Sequence, residues 1–116
     1  MLDWIMAIVE LCRAGLAAGK TLKDWHESAL NEREREILIS ASKDGIIHLG
    51  QNDFDGRFVA TNSREFTDPE DAAVNAHYLD AFISLCNRGL VLDQNGESVF
   101  RLTGQGFDLG RKLAEK

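Results

Sequence analysis

The chain has 116 residues and a mass of 12.9 kDa, the size of one domain. That leaves no room for a Rossmann domain joined to a substrate domain, or for an eight-fold βα barrel. Hydrophobic residues make up 44%, enough for one core and too many for a disordered chain. Thirteen Lys and Arg stand against nineteen Asp and Glu, a formal charge of −6. This opposes a whole-surface attraction to nucleic acid or anionic lipid, while a local basic patch stays open.

Residues 2–18 carry an amphipathic helical pattern. Leu2, Trp4, Ile5, Ile8, Val9, Leu11, Cys12 and Leu16 fall on one arc, and Asp3, Glu10 and Arg13 lie opposite. Gly19 ends or bends this helix, and residues 21–28 continue it with Trp25 as an anchor. Its run from Trp4 to Val9 is too short to cross a bilayer, and no secretory signal is expected with Asp3 where a basic region belongs. A cytoplasmic location follows as the expectation. Cys12 and Cys86, the only cysteines, are then expected as two buried thiols in preference to a long-range disulfide.

Asn31 with Glu34 three positions on forms a capping-box signature, and Ile37, Leu38 and Ala41 are expected to face inward. Glu32, Glu34 and Glu36 suit the positive end of that helix, and Gly45 suits the left-handed position after it. Ile46–Leu49 and Arg57–Thr61 read as strands joined by the turn-rich stretch 51–56. Asp68-Pro69-Glu70-Asp71 reads as a helix start capped by Asp68, with the helix reaching Arg88 and Gly89 closing it. Its apolar arc is wide enough to be packed on two sides. Leu90–Leu92 and Val99–Leu102 read as a hairpin around Asn95-Gly96. Thr103 caps a last helix carrying Phe107, Leu109 and Leu113, in which Gly104, Gly106 and Gly110 each cost about 1 kcal/mol relative to Ala.

The run Leu85-Cys86-Asn87-Arg88-Gly89-Leu90-Val91, followed by a turn and Phe100-Arg101-Leu102-Thr103-x-x-Gly106, resembles the C-terminal half of a winged helix domain. The resemblance spans residues 31–116 and is densest over 82–113. It implies an α+β, winged-helix-like domain at 31–116, a recognition helix ending at Arg88, and a hairpin acting as the wing. Residues 1–28 are then an N-terminal helical extension that packs on the domain or on a dimer partner. Two departures stand out. Residues 50–67 look like strand and loop where the family places a short helix and a tight turn. Moreover, the stretch from Asp68 to Gly89 holds four acids and one arginine, a poor surface for phosphates and base edges.

No catalytic constellation emerges. Gln51-x-Asp53-x-Asp55-Gly56 approaches a calcium-loop pattern, but Gln51 and Asn62 stand where its first and twelfth ligands belong. His77, Asp80 and Ser84 share a helix face, yet the acid lies between histidine and hydroxyl, the wrong order for a triad. His77 and Cys86 face opposite sides of the same helix, and His26 and His48 lack partners at ligand spacing. Gly104-x-Gly106 precedes a helix without the remaining residues of a phosphate loop.

The reading is therefore a non-enzyme without metal or cofactor, acting as a protein-interaction or assembly module, with a second copy of itself or another protein as partner. Trp4, Ile5, Ile8 and Leu11 form the expected dimer or packing face. The alternative is a DNA-binding transcriptional regulator using Arg88, Arg101, Arg111 and Lys112, which the acidic charge disfavours. Cations near a helix C-terminus, as Arg111, Lys112 and Lys116 are, also have a simpler use against the helix dipole.

Overall fold

The computed structural model describes residues 3–17, 30–52, 56–68, 70–94 and 98–115. Among them the order is α1 (Asp3–Ala17), α2 (Glu32–Ala41), β1 (Ile46–Asn52), β2 (Gly56–Thr61), β3 (Glu65–Phe66), α3 (Ala72–Asn87), β4 (Val91–Asp93), β5 (Val99–Leu102) and α4 (Gly104–Ala114). This is an α+β fold whose N-terminal helix precedes the sheet. The expectations for 18–29, Asp53–Asp55, Pro69, the Asn95-Gly96 turn and Lys116 lie outside the described residues.

All pairings in the five-stranded sheet are antiparallel, in the order β3-β2-β1-β5-β4. The period-2 alternation of a strand decides which side chains face the helices. Ile47, Leu49, Val59, Phe66, Phe100 and Leu102 are buried on the inner face. The other face carries Ile46, His48, Phe58, Leu92 and Val99, all half-buried, with exposed Glu65 and Arg101. Phe82 of α3 meets Phe100 edge-on at 5.1 Å between ring centroids, joining helix and sheet at the centre of the core.

The capping box forms at α2: Glu34 N–H donates to Asn31 Oδ1 at 2.8 Å, and Asn31 N–H donates to Glu34 Oε1 at 3.1 Å. Gly45 and Gly89 take positive φ angles of 83° and 77°, the left-handed conformation that lets the chain leave α2 for β1 and α3 for β4. Helix α3 starts later than expected. Asp71, not Asp68, is its N-cap, accepting from Ala73 N–H. Asp68 makes a separate turn instead: its Oδ1 accepts from Glu70 N–H, and its own N–H donates to the buried Asn75 Oδ1.

Helix α1 packs on α3 and β4 through Ile5, Ile8, Val9 and Cys12. Cys12 and Cys86 are both fully buried and lie against each other, placed to pair as a disulfide. Both are buried as expected, and the structure adds that they meet. The amphipathic faces of α1 and α3 bring the cysteines together, with Cα atoms 4.5 Å apart.

The glycines of α4 serve packing. A Cβ at Gly110 would lie 2.7 Å from Leu38 O and 2.8 Å from Ser42 Cβ, and one at Gly106 would strike Leu90 O. A bare backbone at these two positions lets α4 settle onto the end of α2 and the turn after α3. Gly104 has open space around it.

Candidate binding surfaces

The basic residues named for the alternative, DNA-binding reading part company in the structure. Arg88 turns inward. Its Nε lies 2.9 Å from Glu34 Oε2, with side-chain exposures of 15% and 3% for arginine and glutamate. Ser84 Oγ donates to the same carboxylate oxygen at 3.0 Å. The one Lys or Arg between Asp68 and Gly89 is thereby committed to closing α2 against α3. The outer side of α3 shows Ala73, Ala76, His77, Asp80 and Asn87, and Asn75 is buried.

Arg101 and Arg111 each lie beside Phe107. Arg101 lines a notch of about 240 Å³ with Asp44, Gly45, Ile46 and Phe107. The Arg111 guanidinium lies over the Phe107 ring at 5.1 Å. Lys112 is exposed on the same helix. Arg111 and Lys112 occupy the last turn of α4, where positive charge faces the negative end of the helix dipole.

The α1 set also divides. Ile5 and Ile8 are buried against the protein's own core. Trp4 is half-buried, donates from Nε1 to Gln51 Oε1 at 3.0 Å, and lies 5.1 Å beneath the Arg57 guanidinium. Leu11 remains 38% exposed, and Met6, elsewhere on the same helix, 37%. Arg13, on the flank of α1, forms a two-pronged pair with Asp93 of β4 at 3.0 and 3.2 Å.

A cleft that sequence reading missed opens between the end of α2 and the β2–β3 turn. It encloses about 340 Å³ and is lined by Glu36, Ile39, Ser40, Lys43, Ser63 and Arg64. Three hydroxyls meet beside it: Ser40 Oγ is 2.6 Å from Thr61 Oγ1 and 3.1 Å from Ser63 Oγ. Arg64 N–H donates to Thr61 Oγ1 at 3.2 Å, which shapes the turn. The Arg64 guanidinium lies over Phe66 at 4.6 Å and stands 3.9 Å from Glu36 Oε2. Tyr78 donates its hydroxyl to that same Glu36 oxygen. Burial, then the bond to Glu36, push the Tyr78 phenol above its ordinary range, so it stays a neutral donor. The only warning in the sequence was the composition of the Thr61-Asn62-Ser63-Arg64 turn; its distance from Ser40 along the chain hid the rest.

Next to the cleft, Asn62 bridges two titratable groups. His48 Nε2 donates to Asn62 Oδ1 at 2.8 Å, and Asn62 Nδ2 donates to Asp44 Oδ2 at 2.6 Å. The Asn62 bond, and then the Ile46 N–H, hold the Asp44 carboxyl below its usual range. Among the described residues no group of three His, Cys, Asp or Glu side chains is placed to hold a metal ion. No helix among them is long and apolar enough to cross a membrane.

Set against known proteins, the chain matches no family model, no curated protein and no solved structure.

Proposed function

We propose that the chain is a non-catalytic interaction module built on a winged-helix-like domain, with a second copy of itself as the first partner to test. Arg88 carries this reading. Its inward pairing with Glu34 strips α3 of the cation that a groove-reading helix needs, and leaves a small, weakly acidic outer face. The winged-helix component is supported by element order: hairpin β4–β5 follows α3, β5 lies beside β1, and Thr103 opens a closing helix. The extra hairpin strands β2 and β3 occupy the place where the family has a short helix.

The partner surface in this reading is the outer face of the sheet. Ile46, Phe58, Leu92 and Val99 supply apolar area there. Glu65 stands toward the β3 edge and Arg101 on the β5 side. A two-fold axis along the central strand β1 turns the Glu65 side of one copy toward the Arg101 side of the other, so the charges match. A cytoplasmic site belongs to the same reading, and there the Cys12–Cys86 bond would form only under oxidising conditions.

Sedimentation equilibrium at tens of micromolar tests the pairing. A dimer that Phe58→Asp dissociates supports it, and a monomer overturns it. The second reading, a DNA-binding regulator, has one observation in its favour: Arg101 and Arg111 both stand beside Phe107. Anisotropy of a labelled random-sequence duplex separates the two. Salt-sensitive binding at about 10⁻⁴ to 10⁻⁶ M favours the regulator. Silence at low salt favours the interaction module.

A further inference from the structure

We propose that the cleft between α2 and the β2–β3 turn is a binding site for a tetrahedral oxyanion, of the class of a small phosphate monoester. Two cations flank it. Lys43 comes from the turn after α2, and Arg64 from the turn before β3. Arg64 is held in place before any ligand arrives. Phe66 supports one face of the guanidinium at 4.6 Å, and Glu36 stands 3.9 Å away, beyond hydrogen-bond length, so donor positions remain for a ligand oxygen. Glu36 is the one acid in the lining, and its charge is shared between Arg64 and the Tyr78 hydroxyl. The lining therefore carries a formal charge of +1 on a chain whose total is −6.

The hydroxyls supply neutral donors. Ser40, Thr61 and Ser63 hold one another at 2.6 to 3.4 Å. Thr61 is buried and tied to the Arg64 backbone, whereas Ser63 is exposed and can rotate its proton onto a ligand without orphaning a buried group. A cleft of about 340 Å³ fits a phosphoryl group with a small organic remainder. The end of α2 presents the negative pole of its dipole nearby, a modest opposing effect. Two formal cations outweigh it, and two of the last carbonyls of α2 are already satisfied: Leu38 O accepts Ser42 N–H, and Ala41 O accepts Gly45 N–H.

The test is a titration of the full chain, ¹⁵N-labelled, with inorganic phosphate and separately with glycerol phosphate, against sodium chloride at matched ionic strength. The expected result is a saturable shift confined to the amides of Ser40, Lys43, Ser63 and Arg64, with a dissociation constant of about 1 mM or tighter. Lys43→Met and Ser63→Ala are expected to weaken it tenfold or more together, with an unchanged thermal midpoint, because both side chains are exposed. Tighter binding of glycerol phosphate assigns an organic monoester, and equal binding assigns the free anion. Shifts that chloride reproduces, or that survive both substitutions, overturn the site. This outcome is independent of the dimer reading, which concerns the sheet's outer face.

Discussion

Glu34 and Glu36 stand two residues apart on α2, each between an arginine and a hydroxyl from across the fold. Around Glu34 the partners are Arg88 and Ser84, and water is nearly excluded. Around Glu36 they are Arg64 and Tyr78, and the arginine is half exposed. The chemistry is almost the same and the burial is not. A buried charge depends on its partner because nothing else can solvate it. An exposed one exchanges partners with water at little cost, which leaves its arginine available to a ligand. Burial thus separates a fastener from a site on a single helix.

The largest expected effect lies on the buried side. Arg88→Ala leaves the Glu34 carboxylate without its cation in the α2–α3 seam, and about 3–5 kcal/mol of stability should be lost in urea unfolding. Glu34→Ala should cost a similar amount, since it also removes the reciprocal half of the capping box. A loss of under about 1 kcal/mol for Arg88→Ala would erase the contrast with Glu36.

The glycines of α4 sharpen the same point about enclosure, one step down in size. Gly110→Ala must push into Leu38 O and Ser42 Cβ, and should destabilise by about 1–3 kcal/mol. Gly104→Ala, with nothing near its Cβ, should stabilise by about 0.5 kcal/mol through helix propensity alone. Thermal melts of the two variants moving in the same direction would show that α4 does not sit against α2 as described.

Arg64→Ala comes next. Its pair with Glu36 is long and exposed, so the expected stability loss is under about 1 kcal/mol. The same substitution should abolish the phosphate response of the cleft. A large stability loss would move Arg64 to the fastener side of the comparison.

Sequence reading reached the features governed by neighbours in the chain. The Asn31–Glu34 box, the left-handed Gly45 and Gly89, the β4–β5 hairpin and the Thr103 cap all depend on residues within a few positions of each other. It failed where distant segments meet. Glu34 was legible as a capping residue, but its union with Arg88 comes from the docking of α3, so Arg88 stood among the phosphate contacts of the alternative, DNA-binding reading. Ser40 and Thr61 belong to one hydroxyl cluster only because β1 and β2 fold back beside α2. Gly106 and Gly110 read as weaknesses in a helix, because the backbone they approach is invisible to a propensity scale. Asp68 read as a cap because its local signature was good, and Asn75 then took its N–H and delayed the helix to Asp71.

Asp44 extends the comparison to a third carboxylate, this one in solvent. Asn62 Nδ2 and Ile46 N–H both donate to its ionised form, which lowers its pKa from the ordinary value of 3.8. The folded chain therefore holds this proton more weakly than the unfolded chain does. Its contribution to stability is present above the unfolded value and fades as pH falls through the lowered folded one. Asn62→Ala removes the larger of the two donors and leaves Ile46. The expected outcome is a rise in the Asp44 carboxyl titration, followed by ¹³C NMR, that stops short of the ordinary value. An Asp44 titration unmoved by the substitution would leave the Ile46 N–H as the sole cause, and the His48–Asn62–Asp44 bridge would be three neighbours with no shared charge.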